Sequence, residues 1–115
     1  MDCVLRISAS DLSRCDLVPY RLESGSAHFL VSEAGFDDVT TQIRDAVQFL
    51  RANRAQLMRA MGSDASGVLD FAVERRDLAV QCDVFPSDLV RGAGHLGLAL
   101  EFSHYPQAEA PSAEA

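Results

Sequence analysis

Three histidines, His28, His95 and His104, supply the side chains best suited to metal ligation or proton transfer, and each falls in a different stretch of the chain. No His-x-x-x-His, no HExxH and no carboxylate at helical spacing completes a ligand set, so the spacing predicts turn or surface histidines rather than a metal centre. Ser8, Ser10 and Ser13 place hydroxyls beside the carboxylate of Asp11, but the chain contains neither a GxSxG elbow nor an SxxK pair. A capped turn accounts for them. Gly92-Ala93-Gly94-His95-Leu96-Gly97 is rich in glycine, yet it lacks the Lys-Ser/Thr ending of a phosphate loop. It also falls where a helix ends, so its amides would not converge on an anion. The expectation is no catalytic residue, no metal and no cofactor.

What remains is contact chemistry, concentrated in Leu69 to Tyr105. Asp70 and Glu74 on one strand, Arg75, Arg76 and Asp77 near a turn, and Asp83 on the returning strand compose a mixed charged surface. Each exposed ion pair there contributes at most about 1 kcal/mol. As a set they have a different value, because Arg and aromatic residues dominate interface energetics, and Arg76 and Phe85 can serve as anchors. Asp70, Glu74, Arg76, Asp83 and Phe85 are therefore the predicted interaction surface, and non-enzymatic protein binding is the predicted function. Two other readings are carried beside it. One is a small enzyme or ligand-binding domain with a site near loop 8–28 that uses His28, Cys15 or Arg21. The other is a homo-oligomer formed through Gly97 and Ala99 on the small-residue face of the last strand.

Composition narrows the partners. Hydrophobic residues make up 48% of the chain and charged residues 23%, which is enough apolar material for one core in a chain of this length. Seventeen acidic residues face ten arginines and no lysine, for a formal charge of −7. Nucleic acid and anionic membrane would repel such a chain, so neither is an expected partner. No apolar run reaches the roughly 18 residues of a membrane span, and the first residues carry no basic n-region, so the expected location is cytoplasmic. Cys3, Cys15 and Cys82 are odd in number and lack CxxC spacing, which signals neither a disulfide framework nor a zinc site.

The elements that must position these residues follow from hydrophobic period. Residues 2–8 alternate as a first strand, and 20–22 and 27–32 flank the turn Glu23-Ser24-Gly25-Ser26 as a hairpin. Phe29 lies on the apolar side of its strand. An apolar stripe with three- and four-residue spacing, Val39, Ile43, Val47 or Ala46, Leu50, Leu57, Met58 and Met61, predicts one long helix over 37–61, with Asn53 as its point of interruption. Leu69, Phe71 and Val73 then Leu78, Val80, Cys82 and Val84 predict a hairpin. A short helix over 86–93 capped by Gly94 follows, then a last strand over 96–102. The Ala/Pro/Glu-rich residues 106–115 predict a disordered tail after a single domain of residues 1–105.

The run LDFAVERRDLAVQCDVFPSDLVRGAGHLGLALEFSHYP, with VQFLRANRAQL before it, resembles a group of small bacterial α+β domains of unknown function. The resemblance covers the last two-thirds of the chain, and its motif is FP-x-x-LV followed by G-H-LG before a strand. Some broadly similar domains are immunity proteins that neutralise a toxin from a neighbouring cell, so the resemblance implies a fold and a protein partner but no active-site residues. The resulting expectation is an α+β fold: an antiparallel or mixed sheet of five to six strands, with one long and one short helix on one face. A ferredoxin-like order is expected from the long helix onward.

Overall fold

The computed structural model describes residues 3–9, 16–62 and 64–107. The elements are β1 (Cys3–Ser8), β2 (Arg21–Glu23), β3 (Ser26–Ser32), α1 (Val39–Ala52), α2 (Arg54–Ala60), β4 (Ser66–Arg75), α3 (Ser87–His95) and β5 (Leu98–Pro106). They form the expected α+β architecture around a five-stranded mixed sheet in the order β2-β3-β1-β4-β5. Neighbours are antiparallel except β4 and β5, which run parallel. The tight turn between β2 and β3 rests on Gly25 at φ 72, a conformation that glycine adopts without steric penalty. Parallel β4 and β5 require a crossover, and α3 with the loop before it supplies one.

Alternation selects the core face. Cys3, Leu5 and Ile7 of β1 are fully buried. In register with them lie Phe29 and Ala27 of β3 on one side and Leu69 and Gly67 of β4 on the other. Ala46 and Leu50 of α1, Leu57 and Ala60 of α2, and Leu89 and Ala93 of α3 join the same cluster. Gly67 is needed for packing, since a Cβ there would lie 2.5 Å from Leu98 Cδ2 and 3.2 Å from Met61 Sδ. A register shift between Cys3 and Val4 places Ser32 opposite Cys3. Ser32 thereby turns inward and is buried, with its hydroxyl donating to Asp45 Oδ2 at 2.7 Å.

Helix 37–61 is interrupted at Asn53, giving three helices in place of the expected two. Asp38 caps α1 by accepting from the Thr41 amide at 3.1 Å. At the far end the backbone N–H and the side-chain Nδ2 of Asn53 both donate to the Phe49 carbonyl, each at 3.0 Å. The N–H bond is the last regular i→i−4 bond of α1, the side-chain amide shares its acceptor, and α2 restarts with Leu57 N donating to Asn53 O.

Residues 78–84 do not form the expected returning strand, and with it goes the ferredoxin-like order. The physical reason is that β4 has no edge to offer. Parallel β5 takes one side along Gly67–Arg75. The other side is taken by β1 as far as Asp70, then by Gln42, whose amide donates to Ala72 O at 2.8 Å and accepts from Ala72 N at 3.1 Å. Phe36 O accepts from Glu74 N beyond that. The last strand is also displaced. Helix α3 continues through Gly94 to His95, and the left-handed residue after it is Gly97, at φ 70. Strand β5 consequently begins at Leu98 and runs to Pro106, opposite Arg75, so the first residue of the expected tail belongs to the sheet. Residues 108–115 of that tail lie outside the described residues, as do Ser10, Asp11, Ser13 and Cys15.

Candidate functional site

The end of β4, the following loop and β5 hold most of the predicted surface. Gln81 folds the loop back on β4: its Nε2 donates to Glu74 O at 2.8 Å and to Asp83 Oδ2 at 2.9 Å, and its Oε1 accepts from Arg76 N at 2.7 Å. Arg76 Nη2 lies 3.1 Å from Asp83 Oδ1. The Gln81 amide, against an opposing effect of burial and with help from Arg76, holds the Asp83 carboxyl below the usual aspartate range. Phe85 stacks on Phe102 of β5 with centroids 4.2 Å apart and meets Phe71 edge-on at 5.3 Å. A loop pinned at both ends is therefore ordered without being a strand.

That order leaves apolar side chains in water. Leu78 is 59% exposed, Val80 72%, Val84 82% and Phe102 40%. An ordered loop that exposes three aliphatic side chains within seven residues is unusual, because singly scattered apolar residues are the norm on a surface. The outer edge of β5 has no strand partner among the described residues. The opposite edge of the sheet is β2, only three residues long, and short edge strands resist pairing with other chains. Nine-residue β5 has no such protection.

The five predicted residues divide. Arg76, Asp83 and Phe85 share the loop, and Glu74 enters it through its backbone carbonyl. Asp70 belongs to a different network, roughly 13 Å back along β4 by strand geometry. There Arg6 Nη1 donates to Asp70 Oδ2 at 3.1 Å, Arg6 Nη2 donates to Glu101 Oε1 at 2.6 Å, and Ser103 Oγ donates to Asp70 Oδ1 at 2.8 Å. The Glu101 hydrogen bond is the main cause of a raised Arg6 pKa, with burial opposing it and Asp70 adding to it. This network ties β1, β4 and β5 together on the face away from the helices.

The residues of the loop 8–28 reading sit at the other edge of the sheet. His28 pairs with Arg21 across β2 and β3, lies 3.9 Å from Glu23 Oε2 and meets Tyr20 edge-on at 6.1 Å. Arg21 forms an ion pair with Glu23. His95 ends α3, and His104 stands opposite Val73 on β5. Among the described residues no group of three His, Cys, Asp or Glu side chains is placed to hold a metal ion.

Gln42 and Gln81 escaped sequence reasoning because glutamine is an ordinary surface residue. The available signal was position, since Gln42 lies four residues before Ala46 and eight before Leu50, on the buried side of α1. These features define a small α+β domain with an exposed apolar loop that reaches β5 through Phe85 on Phe102, and with a β5 edge that has no strand partner among the described residues. No family model matches the chain, and neither a curated protein nor a solved structure matches it. Among the described residues no helix is long and apolar enough to cross a membrane.

Proposed function

We propose that this protein is a binding module that takes an extended segment of another protein as an added strand on β5. The observation that carries this is the edge of nine-residue β5, which has no strand partner among the described residues, together with the Gln81-ordered loop that leaves Leu78, Val80 and Val84 in solvent and reaches β5 through the Phe85–Phe102 stack. Main-chain hydrogen bonds to a strand edge supply affinity, and alternate side chains of the guest supply selectivity. The guest that fits has apolar residues at every second position, to meet the aliphatic loop and Phe102. It is neutral or basic overall, because the chain carries a net charge of −7. Toxin neutralisation is the finer form of this proposal and rests on the resemblance to immunity-type domains together with that charge.

Strand-length peptides from a random library, selected on the immobilised protein, test it through hydrogen exchange at Leu98–Pro106. Bound peptides should protect β5 amides, and Val80→Asp or Val84→Asp should weaken them by about tenfold or more. Both positions are exposed, so their substitution leaves folding intact. Peptides that protect a different surface, or binding indifferent to both substitutions, refute the proposal. A scattering mass of two chains with β5 protected in the absence of peptide makes a second copy the guest and replaces it.

A further inference from the structure

The chain is acidic as a whole, yet one groove in it is lined by arginine. It lies between α1–α2 and α3, encloses about 220 Å³, and is bordered by Val47, Leu50, Arg51, Arg54, Asp88, Arg91, Gly92, His95 and Leu96. The spacing explains how it is built. Val47, Leu50, Arg51 and Arg54 recur at intervals of three, one and three, and Asp88, Arg91, Gly92 and His95 repeat the same intervals on the facing helix. The first set runs from α1 into the first residue of α2, and the second is one stripe of α3. Leu50 and Leu96 are buried and form an apolar floor. Gly92 opens the space, since even a Cβ there would reach only ordinary contact with Leu50, 3.7 Å from its Cδ1.

The charges in this groove do not cancel. Arg51 Nη2 is 3.6 Å from Asp88 Oδ2, a loose pair between two well-exposed side chains and therefore weak. Arg54 and Arg91 make no ion pair among the described residues. Three of the ten arginines thus converge on one small space with a single carboxylate. Guanidinium groups suit phosphate and carboxylate because their planar fork of donors matches both. The space is smaller than the roughly 300–1,000 Å³ of drug-sized ligand pockets, which restricts an occupant to a compact molecule.

We infer that this groove binds a small organic anion, with a phosphate or carboxylate held by Arg54, Arg91 and Arg51 and a short apolar body lying on Val47, Leu50 and Leu96. The site is independent of the β5 edge, and its occupancy does not require the strand-addition reading. His95 adds a hydrogen-bonding ring at the end of α3.

The test is a chemical-shift titration of the isotope-labelled full chain with phenyl phosphate, benzoate and inorganic phosphate. Phenyl phosphate or benzoate should move amides of residues 47–54 and 88–96 with Kd near or below about 1 mM. The stronger of the two identifies the acid group, and inorganic phosphate alone should bind more weakly for want of the apolar contact. The double substitution Arg54→Gln with Arg91→Gln should weaken binding about tenfold or more. Arg59→Gln, outside the groove, should leave it unchanged. Gly92→Leu should abolish binding by filling the space, with retained helix signals showing an intact fold. Absence of shifts in these residues, an equal response to all three anions, or equal weakening by Arg59→Gln overturns the inference.

Discussion

Replacing Gln42 with leucine isolates the contribution of a single buried amide to this fold. The side chain is fully buried and makes three hydrogen bonds to main chain: Nε2 to Gly35 O and to Ala72 O, both at 2.8 Å, and Oε1 from Ala72 N at 3.1 Å. It stands where β1 has ended and so completes the edge of β4 as a short strand would. Leucine has similar bulk but leaves both polar groups of Ala72 without a partner, at about 1–3 kcal/mol each. Gly35 O can turn to water, and the added apolar burial returns about 1–2 kcal/mol. The net expectation is a loss of about 2–4 kcal/mol, a large share of the 5–15 kcal/mol typical of a domain. At about 3–6 °C per kcal/mol for a chain of this size, that lowers Tm by about 6–24 °C. Urea unfolding followed by far-ultraviolet circular dichroism measures the loss, with exposed Gln48→Leu on the same helix as control. Amide exchange at Ala72 should accelerate in Gln42→Leu more than exchange at Leu69, which β1 and β5 flank directly. A variant within about 1 kcal/mol of the parent, or an unchanged Ala72 amide, would refute the edge-capping role.

Two glycines of the same segment should respond in opposite directions. Gly94 lies inside α3 with open space around its missing side chain, so Gly94→Ala should stabilise by about 0.5–1 kcal/mol. Gly97, at φ 70, should lose about 1–2 kcal/mol on replacement by alanine; urea midpoints that move the same way would contradict the assignment of Gly97 as the helix stop. Asp83 has a depressed folded-state pKa, so its contribution is fully present above the ordinary aspartate value near 4 and is lost as pH falls through the folded value. The stability difference between the parent and Asp83→Asn should therefore be largest at neutral pH and close in acid, and a pH-independent difference would remove Asp83 from the account of the loop.

Much of this fold was legible in period and punctuation. Cys3, Leu5 and Ile7 alternate, Gly25 marks a tight turn, and Asn53 marks the point where α1 gives way to α2. The run from Leu78 to Val84 alternates just as well, yet it is a loop whose apolar side chains face water. Local pattern reports which residues would suit a half-buried strand; it carries no information about whether a neighbour with a free edge exists. Of the predicted surface, Arg76, Asp83 and Phe85 came together because they are close in sequence. Asp70 went elsewhere because Arg6, from the far end of the chain, reached it first in space.

The sequence by itself determined the α+β class, the hairpin of β2 and β3, the buried faces of β1 and β4 and the overall negative charge. Each of these depends on nearby residues, through side-chain period, turn conformation or a simple sum. Only the tertiary structure decided that β5 would lie parallel to β4, that Gln42 would complete the edge β1 leaves open, and that Arg51, Arg54 and Arg91 would line one groove. Those outcomes depend on which distant surfaces meet when one apolar face is buried, and a one-dimensional pattern holds the capacity for such meetings without their partners.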